Sequence, residues 1–449
     1  MDGAGRMALH GLGAAEAAAA IREGRITCRE LVDDCLARVD EFEESVKAWT
    51  YLDPEHVRAQ ADRRDDMHRR GKPHGPLHGV PVGIKDIIDT GDAPTEYGSP
   101  LFSGRKPRHD ATAVANLRAA GAVIMGKTVT TEFAAFQPGK TTNPHDAART
   151  PGGSSSGSAA AVATYMCPAA IGTQTKASVV RPAAFCGVYG FKPSFGTISR
   201  AGVLEQSAAL DQIGAFGRSL DDVALIAECM MGFDPADPAT APPTATPPLR
   251  RVLAEEPPVP PKFAFAKTAY WDQAEKQMHE ACDELVEELG DRVDAIDLPA
   301  PFDKAVDWNA VLMEADIALN FAAAYARGAD RISDKFKALI ERGRSHTAVA
   351  YNEAIRAQAA LNGALDEIFG GYDAILTPAS TGEAPVGLET TGNPVFGTTW
   401  TLVGTPVISL PLMQGEAGLP MGIQIVGQKG DDARLLRTAR WLVEHLSET

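Results

Sequence analysis

The chain has 449 residues, 44% of them hydrophobic, enough to bury a large core in one to three domains. A formal net charge of −16 argues against a nucleic-acid partner, and no polybasic segment points to a membrane surface. The six cysteines (Cys28, Cys35, Cys167, Cys186, Cys229, Cys282) are scattered without a CxxC, so neither a disulfide framework nor a zinc site is expected.

The start, Met-Asp-Gly-Ala-Gly-Arg, is acidic. The alanine run Ala14 to Ala20 carries Glu16 and lacks bulky apolar residues, so it does not read as a secretory signal. No apolar run reaches membrane-spanning length, and the expected location is cytoplasmic. The first clear helix is Arg29 to about Glu44. Thr27 and Glu30 form a capping-box pattern, and Leu31, Val32, Cys35, Leu36, Val39 and Phe42 recur at helical spacing. The charged stretch Asp62 to Lys72 reads as a solvated helix end and loop.

Val80 to Ile88 reads as a strand carrying Lys85. Asp110 to Ala120 reads as a helix closed by Gly121, and Ala122 to Met125 as a short buried strand. A polar loop, Asn143 to Ser156, leads into a small-residue helix, Gly157 to Tyr165, followed by a strand at Pro168 to Gly172. Ten prolines between Pro235 and Pro261 mark a loop or linker. Trp271 to Phe369 reads as mainly helical. Late strands are expected at Tyr372 to Pro378, Val407 to Pro411 and Met421 to Val426, before a last helix from Asp431.

This alternation predicts an α/β fold in which one large mixed β-sheet is covered by helices on both faces. The late strands complete the sheet that the early ones begin. The expected organisation is a single domain over 1–449, with an N-terminal helical segment over 1–60. A variable insertion, proline-rich and then helical, occupies 233–330.

Two motifs mislead. Gly121 to Thr128 fits the phosphate-loop pattern G-x4-G-K-[ST], but its four middle residues are apolar and β-like, and a helix precedes it. Gly153-Ser154-Ser155-Ser156-Gly157 fits G-x-S-x-G, but a nucleophile elbow follows a buried strand, and here a polar loop comes first. The late histidines it would need, His346 and His445, sit among charged or polar residues and read as exposed.

The more informative pattern is a glycine-set serine cluster, Pro151 to Gly157, with Ser178 downstream and Lys85 upstream in the apolar run from Val80. A serine needs a base to become a nucleophile. A free lysine has a pKa near 10.4, so deprotonating it at pH 7 costs roughly 4–5 kcal/mol. Burial beside Val82, Ile84, Ile87 and Ile88 lowers that cost, and such a lysine serves as base where no histidine is available.

Gly75-Pro76-Leu77-His78-Gly79-Val80-Pro81-Val82-Gly83-Ile84-Lys85-Asp86 resembles the lysine motif of the amidase signature family. Arg149 to Ala161 resembles the signature itself. Gly172-Thr173-Gln174-Thr175 through Ser178, Arg181 to Gly187, and Gly190 to Ser194 complete the likeness. Trp400, Gly404-Thr405-Pro406 and Gly418 to Gln424 are similar to the family's C-terminal segment.

The resemblance implies the family's fold and a hydrolase that cleaves the C–N bond of small amides through an acyl-enzyme. Ser178 would be the nucleophile. Ser154, after a cis peptide bond, would bridge it to a neutral Lys85. The backbone N–H groups of Thr175, Lys176, Ala177 and Ser178 would form the oxyanion hole. No metal or organic cofactor is implied. The partner is a small amide or carbamate, with neither nucleic acid nor membrane; esters and anilides stay open, as does a homodimer. A role in a transamidase working on charged tRNA fits the acidic charge poorly.

The chain departs from the family at two places. Lys176 and Ala177 stand where two glycines are usual, which would strain the hole if either position needs a positive φ. Three roles are open to the Lys176 ammonium: depressing the pKa of Lys85, attracting an acidic substrate, or pointing to solvent. Gln174 stands where many members have aspartate. With Arg181, it resembles malonamidase-like members, in which the arginine holds a substrate carboxylate; the alternative is an arginine paired with carbonyls ahead of Pro182.

Overall fold

The computed structural model describes residues 8–72, 74–241 and 248–448. The acidic start of the chain and part of the proline-rich stretch, 242–247, lie outside the described residues. The described strands are β1 (Trp49–Leu52), β2 (Pro81–Lys85), β3 (Val123–Thr128), β4 (Ala169–Gln174), β5 (Tyr189–Lys192), β6 (Gln212–Gly217), β7 (Phe263–Ala266), β8 (Val293–Ile296), β9 (Ala374–Pro378), β10 (Val407–Gln414) and β11 (Pro420–Val426). They form one eleven-stranded sheet in the order β1-β3-β2-β4-β6-β5-β10-β11-β9-β7-β8.

The sheet is mixed in an ordered way. β3, β2 and β4 run parallel to one another, as do β9, β7 and β8. Between these wings every pairing, from β4–β6 through β11–β9, is antiparallel. All residues of β2, β3, β4 and β6 are buried. Alternate side chains point to opposite faces, so complete burial means that helices cover both.

A helix at Ala14–Arg22, not expected from the alanine run, precedes the helix Cys28–Val46, which has the expected Thr27–Glu30 capping box in place. Leu31, Val32, Cys35, Leu36 and Val39 are buried. The charged stretch after Asp62 behaves differently from expectation. A helix, Pro54–Arg69, runs through most of it, and Asp65 is buried. Its carboxylate accepts the backbone N–H groups of Cys28 (2.8 Å) and Arg29 (3.0 Å), two of the orphan donors at that helix's start.

The small-residue helix spans Ser156–Ala163 and packs on β2 and β4. Gly157 lets the start of this helix pass close to the backbone beside β1 and β3: a Cβ there would stand 2.2 Å from the Ala48 carbonyl and 2.4 Å from the Val129 nitrogen. The segment 271–369 is mainly helical as expected, but it contains β8, and β7 precedes it. Both strands are four residues long, β8 is half-exposed at the sheet edge, and neither is long enough to show a period. No described helix is long and apolar enough to cross a membrane.

Candidate active site

Lys85 closes β2, between β3 and β4, and its side chain is fully buried. Nζ is hydrogen-bonded to Ser154 Oγ at 2.7 Å and Thr173 Oγ1 at 2.8 Å. It forms no ion pair among the described residues. Burial holds its pKa well below the usual lysine value, and the negative charge of Asp211 pulls in the opposite direction. The same strand position therefore supplies both the confinement and the downward pull on its pKa.

Ser154 follows a cis peptide bond from Gly153. The Gly153 carbonyl accepts a 2.7 Å hydrogen bond from Arg181 Nη2, which also donates to Thr391 Oγ1 at 2.9 Å. Arg181 Nη1 donates to the Gly392 carbonyl at 3.0 Å. Arg181 does pair with carbonyls, but with these two rather than ones ahead of Pro182. Its Nε is buried and without a partner, and desolvation lowers its pKa to about 9, so it stays charged at neutral pH.

Ser178 sits in the loop between β4 and the helix Val180–Cys186. Gln174 at its base and side chains from three distant segments fix that loop. Gln174 Oε1 accepts the N–H groups of Val179 (2.8 Å) and Val180 (3.1 Å), while its amide donates to Thr401 Oγ1 at 2.9 Å. Thr401 in turn donates to the Lys176 carbonyl at 2.6 Å, and Asn309 to the Thr175 carbonyl at 3.1 Å. The Thr175 hydroxyl donates to Asp211 at 2.6 Å. With both of these carbonyls engaged, no acceptor among the described residues takes the N–H of Lys176, Ala177 or Ser178.

Neither Lys176 nor Ala177 has a positive φ, so the loop is not strained where glycines are usual. The methyl of Ala177 is accommodated by Gly397, whose missing Cβ would lie 2.7 Å from it. Lys176 does not simply point to solvent. Its Nζ lies 5.3 Å from the centre of the Phe136 ring, and burial lowers its pKa to about 8. Burial itself, rather than Lys176, is what depresses Lys85.

Ser178, Thr175, Lys176 and Arg181 line one cleft. Lys85 and Ser154 are buried and are not among its lining residues. Ser154 Oγ and Ser178 Oγ are not hydrogen-bonded to each other in this structure. The turn Glu132–Ala134 forms part of the cleft wall, with Phe133 (φ 49°) and Ala134 (φ 57°) both left-handed. Gln206 holds it: Nε2 donates to the Phe133 carbonyl at 2.7 Å, and Oε1 accepts the Thr175 hydroxyl at 2.8 Å. Gln206, Asp211, Asn309 and Thr401 carried no motif in the sequence; only contacts across 31 to 227 residues reveal them.

The misleading motifs resolve as expected. Gly121 to Thr128 is β3 and the turn before it, and Lys127 is buried against Asp86 at 3.3 Å. Ser155 Oγ donates to the Thr173 carbonyl at 3.2 Å, and no histidine lines the cleft. His346 and His445 are half-buried rather than exposed; one bonds Glu314 at 3.0 Å and the other stacks on Trp441.

A family model described as Amidase matches residues 30–436. The chain is 32% identical to a glutamyl-tRNA(Gln) amidotransferase subunit of Chloroflexus aggregans, over 96% of this chain and 95% of the relative. It is 33% identical to the corresponding protein of an Anaeromyxobacter strain, over 97% and 96%. Among solved structures, peptide amidase bound to chymostatin superposes with a TM-score of 0.84, at 28% identity and over 97% and 98% of the two chains. 6-Aminohexanoate cyclic dimer hydrolase gives 0.85 at 25% identity, over 98% and 97%. The chain belongs to the Amidase family, the amidase signature hydrolases of carbon–nitrogen bonds.

Proposed function

We propose that this chain hydrolyses small amides through Ser178, Ser154 and Lys85. The carrying observation is the 2.7 Å contact between Lys85 Nζ and Ser154 Oγ inside a buried site that favours the neutral amine. Ser178 attacks the amide carbonyl, and its proton passes to Ser154 as Ser154 gives its own to Lys85. The unclaimed N–H groups of Lys176, Ala177 and Ser178, with that of Thr175, receive the developing oxyanion. Such donors contribute about 3–4 kcal/mol each to the transition state. The proton returns through the same relay to the leaving amine, and water releases the acyl group from Ser178.

Carbamates, anilides and esters present the same carbonyl and fall within this reading. The names of the curated relatives support a second one, in which the chain is the amidase component of a transamidating complex. Turnover of free small amides by the isolated chain separates the two. A serine-directed fluorophosphonate is expected to label Ser178, located by peptide mass, and Lys85→Ala to abolish both labelling and turnover. Labelling at Ser155 instead, or full activity in Lys85→Ala, would overturn the assignment.

A further inference from the structure

The wall of the cleft beside Ser178 contains two cations, Lys176 and Arg181, and no carboxylate. In a chain with 59 acidic residues and a net charge of −16, that is a local reversal. The Arg181 fork is occupied by the Gly153 and Gly392 carbonyls and the Thr391 hydroxyl, leaving Nε–H buried and unclaimed. Lys176 Nζ has no hydrogen-bond or ion-pair partner among the described residues and rests against the Phe136 ring. Glu314, the carboxylate that acts on Lys176 electrostatically, is already held by Arg342 at 2.8 Å and His346 at 3.0 Å.

Buried charge is ordinarily paired, because an unpaired ion in a dry site loses its hydration without compensation. Here buried Arg181 and half-buried Lys176 share one small cleft, and each lowers the cost of admitting an anion. An ammonium suits a carboxylate as a point charge with three rotatable donors, whereas the guanidinium fork is already committed. Lys176 is also next to Ala177 in the loop that holds Ser178, so an anion seated on it belongs to the molecule being cleaved.

We propose that the preferred substrates are small amides that carry a carboxylate, seated on the Lys176 ammonium beside Arg181 Nε–H. This rests on the assignment of Ser178 as nucleophile. Lys176 is then the residue that sets specificity, a role separate from its backbone N–H in the oxyanion hole.

The test compares matched pairs, the monoamide and the diamide of malonic and of succinic acid, in wild type, Lys176→Met and Lys176→Arg. Wild type is expected to favour the anionic member at least tenfold in kcat/KM. Lys176→Met should reduce that ratio at least tenfold, mainly through KM, and Lys176→Arg should restore most of it. Using the ratio removes any loss common to both substrates. An unchanged ratio in Lys176→Met, or a wild type that favours the neutral diamide, overturns the proposal. If neither pair is turned over, calorimetric titration with succinate decides: binding that Lys176→Met abolishes upholds the seat, and no binding to wild type overturns it. Fluorophosphonate labelling of Ser178 in the same samples reports separately on the catalytic assignment.

Discussion

At the scale of single residues, the proposed acid–base chemistry turns on Lys85 and on Asp211, the charge that opposes its shift. Burial lowers the Lys85 pKa, and Asp211, itself raised to about 6 by burial, opposes that shift while ionised. A base must be unprotonated, so kcat/KM should rise with pH through the Lys85 pKa, on a limb well below the usual lysine range. Removing the Asp211 charge removes the influence that favours the ammonium. Asp211→Asn is therefore expected to move the acidic limb to lower pH, with a full pH–rate profile of kcat/KM as the measurement. The side chain also accepts the Thr175 hydroxyl and the N–H groups of Gln206 and Ser207, so an asparagine that keeps one oxygen is the conservative choice. A limb moving upward, or not moving, would remove Asp211 from the electrostatics of the base. The residues of the proposed relay, Lys85, Ser154 and Ser178, could be singled out in the sequence because each lies in a dense local motif. Asp211 was not, because its effect reaches the site from β6 through the fold rather than along the chain.

At the scale of elements, the loop that carries Ser178 is shaped by a helix more than 200 residues away. Val395–Val403 is buried along its length and brings Gly397 against Ala177 and Thr401 against Gln174. Glycine usual in the loop has been exchanged for alanine, and the space for its methyl is found at Gly397. A Cβ at Gly397 would stand 2.7 Å from the Ala177 Cβ and 3.0 Å from Val180 Cγ2. Gly397→Ala should therefore destabilise the protein by about 1–3 kcal/mol, the range for overpacking, and lower activity by displacing the loop. Adding Ala177→Gly should recover most of both losses. The double-mutant cycle, read by urea midpoint and by turnover, gives a coupling of about 0.5–3 kcal/mol if the two positions share one space. Additive losses would mean that they do not. The sequence marked Lys176-Ala177 as a departure but not its compensation, since a glycine inside a helix of apolar residues and threonines signals nothing until its neighbour is known.

At the scale of the whole molecule, six of the eleven described strands were readable, because a strand buried on both faces is a short apolar run between turn signals, as at β2, β3 and β4. Their order was not, since β6 inserts between β4 and β5, and β10 and β11 separate β5 from β9. β1, β5, β6, β7 and β8 were not read: four of them are only four residues long, and the six residues of β6 include Gly214 and Gly217. What joins the early and late parts of the sheet is also invisible along the chain. Just past β5, Asp432 at the start of the last helix accepts the Ser194 N–H at 2.7 Å and its hydroxyl at 2.6 Å, across 238 residues. Beside it, buried Lys192 donates to Gln212 at 2.6 Å and the Thr405 carbonyl at 2.5 Å, and its pKa is lowered to about 7. Asp432→Ala would leave a buried backbone donor unpaired and remove the carboxylate that acts on Lys192. The expected loss is about 2–4 kcal/mol of stability, since hydrogen bonds to charged groups and stranded buried donors both lie near that scale. Asp432→Asn, which keeps one carbonyl oxygen for the Ser194 N–H, should lose less. Urea unfolding followed by tryptophan fluorescence measures both. The ordering alanine worse than asparagine worse than wild type is the prediction, and equal midpoints for all three would show that this junction does not hold the two parts of the sheet together.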